Sequence, residues 1–251
     1  MKLTGDERQE RILCEVMARG EASVADLAAL LGVTTETIRK DLSILQDKNA
    51  IEKRHGFVTL PSTYGEASFA DKEARHREEK AAIARIAAGL IPSGASVIME
   101  ASTTNLQLAK MLVMRSDLTV FTNSLNICQV LGKSGNELYM VGGAFRQRSN
   151  SCTGTWAQQA ISGLNADVAF LGCDGFSADG PTVAFQQLLE VDRAIIGHSR
   201  LTYLLSDTSK LVQTGLYDVA GFSDFDALIF ERPLTADERR MFPDKISILP
   251  E

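Results

Sequence analysis

Three consecutive hydroxyl side chains, Ser102, Thr103 and Thr104, stand between an apolar run, Ala95–Met99, and a helix-spaced one that begins near Thr104. At a helix start, such hydroxyls and the free N–H groups beside them could hold a phosphate against the positive end of the dipole. Four more clusters of the same character follow strand-like runs: Thr122-Asn123-Ser124, Gly142-Gly143-Ala144-Phe145-Arg146, Gly172-Cys173-Asp174-Gly175 and Ser206-Asp207-Thr208-Ser209-Lys210. Ser124 could act as Ser102 does. Gly142 and Gly143 would let backbone approach a ligand, Arg146 and Lys210 bring positive charge, and Asn123 and Asp174 carry acceptors for hydroxyls. Together they suit a phosphorylated, hydroxyl-rich small molecule. Any one of them could equally be an ordinary turn residue, since turns favour the same types.

A second chemistry lies near the start of the chain, in SVADLAALLGVTTETIRKDLSIL from Ser23 to Leu45. Val24, Leu27, Ala28 and Leu31 give a first helix one apolar face, and Ser23 is placed to cap it. Gly32-Val33 breaks the pattern, and Thr34 or Thr35 can cap a second helix with the stripe Ile38, Leu42 and Leu45. The other faces of that helix carry Glu36, Thr37, Arg39, Lys40 and Ser43, which can hydrogen-bond and do not suit a core. This is the pattern of a helix-turn-helix whose second helix enters the DNA major groove. Two amphipathic helices around a glycine also occur in bundles that never touch DNA. The neighbours favour the first reading: a preceding helix with Ile12, Leu13, Val16 and Met17, and two short strand-like runs around His55-Gly56. Such a hairpin reads as a wing, with Lys53, Arg54 and His55 set to meet the phosphate backbone.

The elements that must position both sets divide the 251 residues at Pro61. Residues 1–60 read as a winged helix-turn-helix domain, with the helix-turn-helix itself at about 22–41. Residues 61–78, rich in Pro, Ser, Gly and then charge, read as a linker with little core. From Glu79 onward, helix-length and strand-length apolar segments alternate, which predicts an α/β domain with a mostly parallel sheet over 79–251. In such sheets ligands bind beyond the carboxyl ends of the strands, where the polar clusters fall. Trp156 and Phe185 could line an apolar wall there, but both read as core.

The net charge of −6 argues against a general polyanion binder, and residues 1–60 hold four Lys and five Arg against ten Asp and Glu. DNA affinity would then rest on a few placed cations and on joining several heads, so a homodimer or homotetramer is expected. No stretch reads as a signal peptide or a membrane span, which predicts a cytoplasmic protein without membrane contact. Cys14, Cys128, Cys152 and Cys173 lack the close spacing of zinc or redox motifs, and the first three read as mostly buried thiols. Cys173 alone lies beside the expected ligand loop. No metal or cofactor is expected.

The chain resembles the DeoR-type transcriptional regulators. The likeness is carried by Arg8 and Ile12, Val24-x-x-Leu27-Ala28, Val33-Thr34-x-x-Thr37-Ile38-Arg39-Lys40-Asp41-Leu42, Arg54-x-Gly56, and Phe69 and Arg75 followed by Lys80-x-x-Ile83-Ala84. It continues through the second half in Glu100-x-Ser102-Thr103-Thr104, Thr122-Asn123-Ser124, Gly142-Gly143-x-x-Arg146, Asp174-Gly175, Glu190 and Ser209-Lys210. The resemblance implies an effector-sensing domain of the fold shared with ribose phosphate isomerases and CoA transferases. It also implies a double-stranded DNA operator and a phosphorylated sugar or sugar alcohol as partners, with Glu100, Gly175 and Glu190 added to the effector set. Two departures stand out: Phe57 replaces a second wing glycine, and Glu100-Ala101 replaces Asp-x-Gly, a longer carboxylate and an added methyl that would reshape the pocket.

Relatives of that fold isomerise or deaminate sugar phosphates, and Glu100, Asp174, Glu190 and Lys210 could supply general acid and base. The carboxylates are scattered over separate loops, however, and an isomerase gains nothing from a winged head. The expected function is a non-enzymatic regulator, a repressor of a carbohydrate or sugar-alcohol operon.

Overall fold

The computed structural model describes residues 4–19, 21–47, 50–54, 57–59 and 67–250. They fall into two units that divide between Ala67 and Ser68.

In the first unit, helix α1 (Gly5–Arg19) leads through a short strand β1 (Glu21–Ser23) to α2 (Val24–Leu31) and α3 (Thr35–Asp47), followed by β2 (Glu52–Arg54) and β3 (Phe57–Thr59). Side-chain caps set the helix starts. The Ser23 hydroxyl accepts the Asp26 N–H at 3.0 Å, and that of Thr34 accepts the Thr37 N–H at 3.2 Å. Gly32 ends α2 with φ +62°, a left-handed turn that an L side chain rarely adopts, and so sets the angle between α2 and α3. Ile12, Val16, Leu27, Ile38, Leu42, Leu45, Ile51 and Val58 form the core. The strands pair antiparallel in the order β1-β3-β2. β1 is not visible as a strand in the sequence; only pairing of Ala22 with Val58, both buried, makes it one.

The second unit alternates as expected. Its helices and strands are α4 (Phe69–Ala74), α5 (Arg77–Gly89), β4 (Ser96–Met99), α6 (Thr103–Leu112), β5 (Thr119–Thr122), α7 (Leu125–Leu131), β6 (Glu137–Met140), β7 (Ala144–Arg146), β8 (Ser151–Thr153), α8 (Thr155–Ser162), β9 (Ala166–Leu171), β10 (Gly175–Phe176), β11 (Pro181–Val183), α9 (Gln186–Gly197), β12 (Ser199–Leu205), β13 (Tyr217–Asp218), β14 (Ala227–Ile229), α10 (Ala236–Arg239) and β15 (Ser247–Leu249). Seven strands form a sheet in the order β15-β14-β12-β9-β4-β5-β6. All its pairings are parallel. Successive residues of β4 enter opposite cores: Val97 and Met99 pack with α5, α6 and α7, while Ile98 packs with Ala157 and Ile161 of α8 and Val191 and Ile195 of α9. Burial on both faces is why the strands read as near-continuous apolar runs.

Three expectations need correction. Residues 68–78, expected as linker, belong to the second unit and contain α4 and the start of α5, with Phe69 buried in the core beside α5. Residues 60–66 lie outside the described part. Trp156, expected in the core, is 77% exposed at the start of α8, because Ala157 and Ile161 are the residues of that helix that face inward. Of the three thiols expected to be buried, Cys14 is exposed, Cys128 is half-buried and only Cys152 is fully buried.

Candidate functional site

The carboxyl ends of β4, β5, β9 and β12 bring most of the expected effector residues to one edge of the sheet. After β4, Glu100 turns inward. It is 7% exposed, and its Oε2 accepts the Gly172 N–H at 3.2 Å. The longer carboxylate at this position is thus spent on reaching the neighbouring strand end. A Cβ on Gly172 would stand 2.9 Å from that of Ser102, so glycine there is what lets β9 and the start of α6 approach. Burial pushes the Glu100 carboxyl up to about 7, against the hydrogen bonds from Gly172 and Ser102 and the charge of Lys72, which lower it.

Ser102 caps α6 by accepting the Asn105 N–H at 3.2 Å, and Thr103 and Thr104 are buried in its first turn. N–H groups at those positions have no partner within a helix, so they are available to an anion. Asn105 donates to the backbone oxygens of Glu100 and Phe170 at 2.9 and 2.8 Å. Asn123 likewise donates to the Cys152 oxygen at 3.0 Å. The amide oxygens of both are buried without a hydrogen-bond partner among the described residues. Buried acceptors left in this state call for a donor, such as a ligand hydroxyl. Ser124 is fully buried and caps α7 through the Ile127 N–H at 3.3 Å, so its hydroxyl is already committed to the fold.

Asp174 follows β9. Its Oδ1 accepts from Lys72 Nζ at 3.0 Å and its Oδ2 from the Ala184 N–H at 3.0 Å. Burial alone would raise this carboxyl, but Lys72, Lys210 and the Ala184 N–H outweigh it and hold the group below its ordinary value. Lys210 stands half-buried in the 3₁₀ turn Thr208–Val212 after β12, which Asp207 caps. The Cys173 thiol is pushed up to about 12 by burial and lies 3.6 Å from the Ser206 hydroxyl, so it stays protonated.

Several expected residues serve other ends. Glu190 is exposed on α9 and accepts from Gln158 at 2.8 Å. The acid of α9 that faces the rim is Asp192, 2% exposed, which burial and then the Glu100 and Asp174 charges push well above its ordinary value. A Cβ on Gly143 would come within 2.5 Å of the Thr153 oxygen, and one on Gly175 within 2.2 Å of the Gln213 oxygen. Both glycines therefore answer to chain packing, while Gly142 faces open space. The Arg146 guanidinium lies 4.6 Å over the Phe185 ring and 3.4 Å from the Ser149 hydroxyl.

The residues absent from the expected set are Lys72, Asn105, Gly172 and Asp192. Asp192 leaves a trace in the sequence, an acid in the stripe Leu189, Asp192, Ile195. Lys72 leaves none, because its partner lies 102 residues away.

In the first unit, α3 buries Ile38, Asp41, Leu42 and Leu45 and leaves Thr35, Glu36, Arg39, Lys40 and Ser43 exposed, with Thr34 exposed ahead of it and Thr37 half-exposed. Arg39 pairs only loosely with Glu36, at 3.7 Å. Asp41 faces the other way: it accepts from Arg8 Nε at 2.5 Å and Nη2 at 3.0 Å, and so ties α3 to α1. Ser23, also expected to contact DNA, is half-exposed, and its hydroxyl caps α2 as that of Thr34 caps α3. Lys53 is exposed on β2; the side chain of Arg54, and all of His55, lie outside the described part.

Comparison with known proteins divides the chain in the same way. The model of the DeoR-like helix-turn-helix domain matches residues 8–64, and that of the DeoR C terminal sensor domain matches residues 75–232. The transcriptional repressor GlcR of Bacillus subtilis is 34% identical over 90% of this chain and 88% of its own length. The glycerol-3-phosphate regulon repressor of Escherichia coli is 31% identical over 90% of this chain and 91% of its own. Among solved structures, a ribose 5-phosphate isomerase from Methanocaldococcus jannaschii covers 55% of each chain at 15% identity with a TM-score of 0.39. The initiation factor eIF-2B of Pyrococcus horikoshii covers 96% of this chain and 87% of its own at 16% identity and 0.49. Neither structural likeness speaks to what the chain binds.

Proposed function

The chain belongs to the DeoR family of helix-turn-helix transcriptional regulators, and from that premise we propose that it represses a carbohydrate or sugar-alcohol operon and is released by a phosphorylated sugar or sugar alcohol. The observation that carries this reading is the division of α3, with an apolar stripe inside and Arg39 and Lys40 on the exposed side. Thr34, Thr35, Glu36, Thr37 and Ser43 would read or position the operator beside them, and Lys53, Arg54 and His55 would meet the backbone from the wing. The DNA-reading domain takes residues 1–60, and the effector rim lies in the second unit.

At that rim, the effector's phosphate would take the first turn of α6, Ser102 to Thr104, with Lys210 near by, and its hydroxyls would reach Asp174 and the open oxygens of Asn105 and Asn123. One relative is named for a glycerol-3-phosphate regulon, and a small phosphorylated polyol of that class suits the hydroxyl-rich edge. The active form is a homodimer or homotetramer, since a first domain without surplus positive charge needs more than one head on the operator.

A second reading has one observation in its favour: Glu100, with a carboxyl near 7 beside Asp174 and Asp192, has the character of a general acid or base for a sugar phosphate. A mobility shift of the full-length chain on its own upstream DNA, repeated against a panel of sugar phosphates, decides between the two. Release by one compound that is recovered unchanged is the expected result; conversion of that compound would favour the enzyme. Arg39→Ala or Lys40→Ala should weaken operator binding about tenfold or more with effector binding intact. Thr103→Ala or Lys210→Ala should raise the effector concentration needed for release and leave operator binding alone. Equal loss of both activities in either variant set would count against separate sites.

A further inference from the structure

Lys72 is the side chain through which α4 reaches the strand-end rim. Its Nζ lies 3.0 Å from Asp174 Oδ1, and the side chain keeps 30% of its surface exposed. Asp174 has a second, independent anchor in the Ala184 N–H, so it holds its place without the lysine. The same ammonium also acts electrostatically on Glu100, two residues before the Ser102 cap of α6. Buried Lys80 donates to the backbone oxygen of Lys72 and, at 2.8 Å, to that of Arg75, closing the end of α4. Lys110 pairs with Glu73 at the surface, and Phe69 seats in the core with its N–H on the Arg148 oxygen at 2.9 Å. α4 is also where the chain enters the second unit, Phe69 following Ser68 directly.

Resting on the function proposed above, we infer that Lys72 is a further effector-binding residue, and that the phosphate of the effector takes Lys72 from Asp174 and frees Asp174 Oδ1 for a ligand hydroxyl. A phosphate carries about 1.5 to 2 negative charges at neutral pH where a carboxylate carries one, so the exchange favours the ligand. Each half of the broken pair gains a partner on the same molecule. Burial of Glu100 and Asp192, which pushes both carboxyls up, leaves the rim less negative than its acids suggest and eases the entry of an anion. Because Lys72 belongs to α4, its change of partner shifts the segment that leads from the DNA-reading unit, which gives the ligand differential contact with two positions of that segment.

The test uses the full-length chain, thermal-shift or calorimetric titration, and two kinds of probe: inorganic phosphate, and glycerol 3-phosphate with a panel of hexose phosphates. Lys72→Ala should raise the half-saturating concentration of both about tenfold or more, and Lys72→Arg should recover most of the loss. Asp174→Asn should bind inorganic phosphate several-fold more tightly, because it removes the carboxylate that competes for Lys72. Loss of a negative charge from the rim would favour any anion, so the gain must also vanish when Lys72→Ala is added to Asp174→Asn; a gain that persists in the double variant overturns the inference. Normal titration by Lys72→Ala, or weaker phosphate binding by Asp174→Asn, overturns the inference and leaves the effector-released repressor standing. A wild-type chain that responds to none of the phosphorylated probes overturns the functional reading itself.

Discussion

Glu100 shows at the scale of one residue how the rim trades stability for a site. In the folded chain its carboxyl is raised from 4.5 to about 7, chiefly by burial. A folded value above the unfolded one means that the stability this group contributes is fully present below about 4.5 and is lost as pH rises through about 7. The wild-type second unit should therefore weaken between pH 5 and pH 8 by on the order of 1 kcal/mol or more, and Glu100→Gln should flatten that loss. Denaturant midpoints of both proteins at four pH values across the window check this; parallel curves would show that Glu100 does not titrate there. Residues of this kind were partly legible in the sequence. Hydroxyls and amides after strands announce a polar rim by type alone, and Glu100, Thr103, Thr104, Asn123 and Asp174 all lie there. What type cannot disclose is which acid of a helix turns inward: Glu190 and Asp192 are two residues apart, and the first is exposed while the second is buried. Nor can it separate a glycine that admits a ligand from one that admits a neighbouring stretch of backbone, as Gly143 and Gly175 do.

Among the elements, α3 must be held rigidly if its outward face is to meet a groove, and the pair Arg8–Asp41 supplies the tie to α1. The carboxylate side is 4% exposed and the guanidinium side 15%, so removal of the arginine leaves a buried acid without its main counter-charge. Arg8→Ala should cost the first unit about 3 kcal/mol, and Arg8→Lys should recover little, because an ammonium cannot make the two-pronged contact. In calorimetry of the full-length chain the loss should appear as an earlier transition of the first unit with the second unmoved; a joint shift of both would count against their independence. The long elements were legible because buried parallel strands and amphipathic helices leave strong periodic signals. The missed ones are short and owe their form to partners distant in sequence. β1, β7, β8, β10, β11 and β13 run three residues or fewer, and α4 carries a single buried anchor, Phe69, among charges that resemble a linker.

At the level of the whole molecule, the two units can serve one function only if occupation of the rim and occupation of the operator influence each other, and that influence has a property independent of its route. Whatever the effector does to operator affinity, the operator must do to effector affinity by the same factor, because both paths between the same four states enclose one free energy. A net charge of −6 and a first domain with nine cations against ten acids give the chain little affinity for DNA at large, so in the oligomer proposed above each lost contact should tell. An effector that weakens operator binding about tenfold should itself bind about tenfold more weakly to the operator complex than to the free protein. Fluorescence anisotropy of labelled operator, titrated with effector, measures one side of the cycle. Calorimetric titration of the effector into protein with and without saturating operator measures the other. Equal factors, with Lys72→Ala reducing both together, are the expected result. Operator release without a matching loss of effector affinity would mean that the compound does not act through reversible binding to the protein.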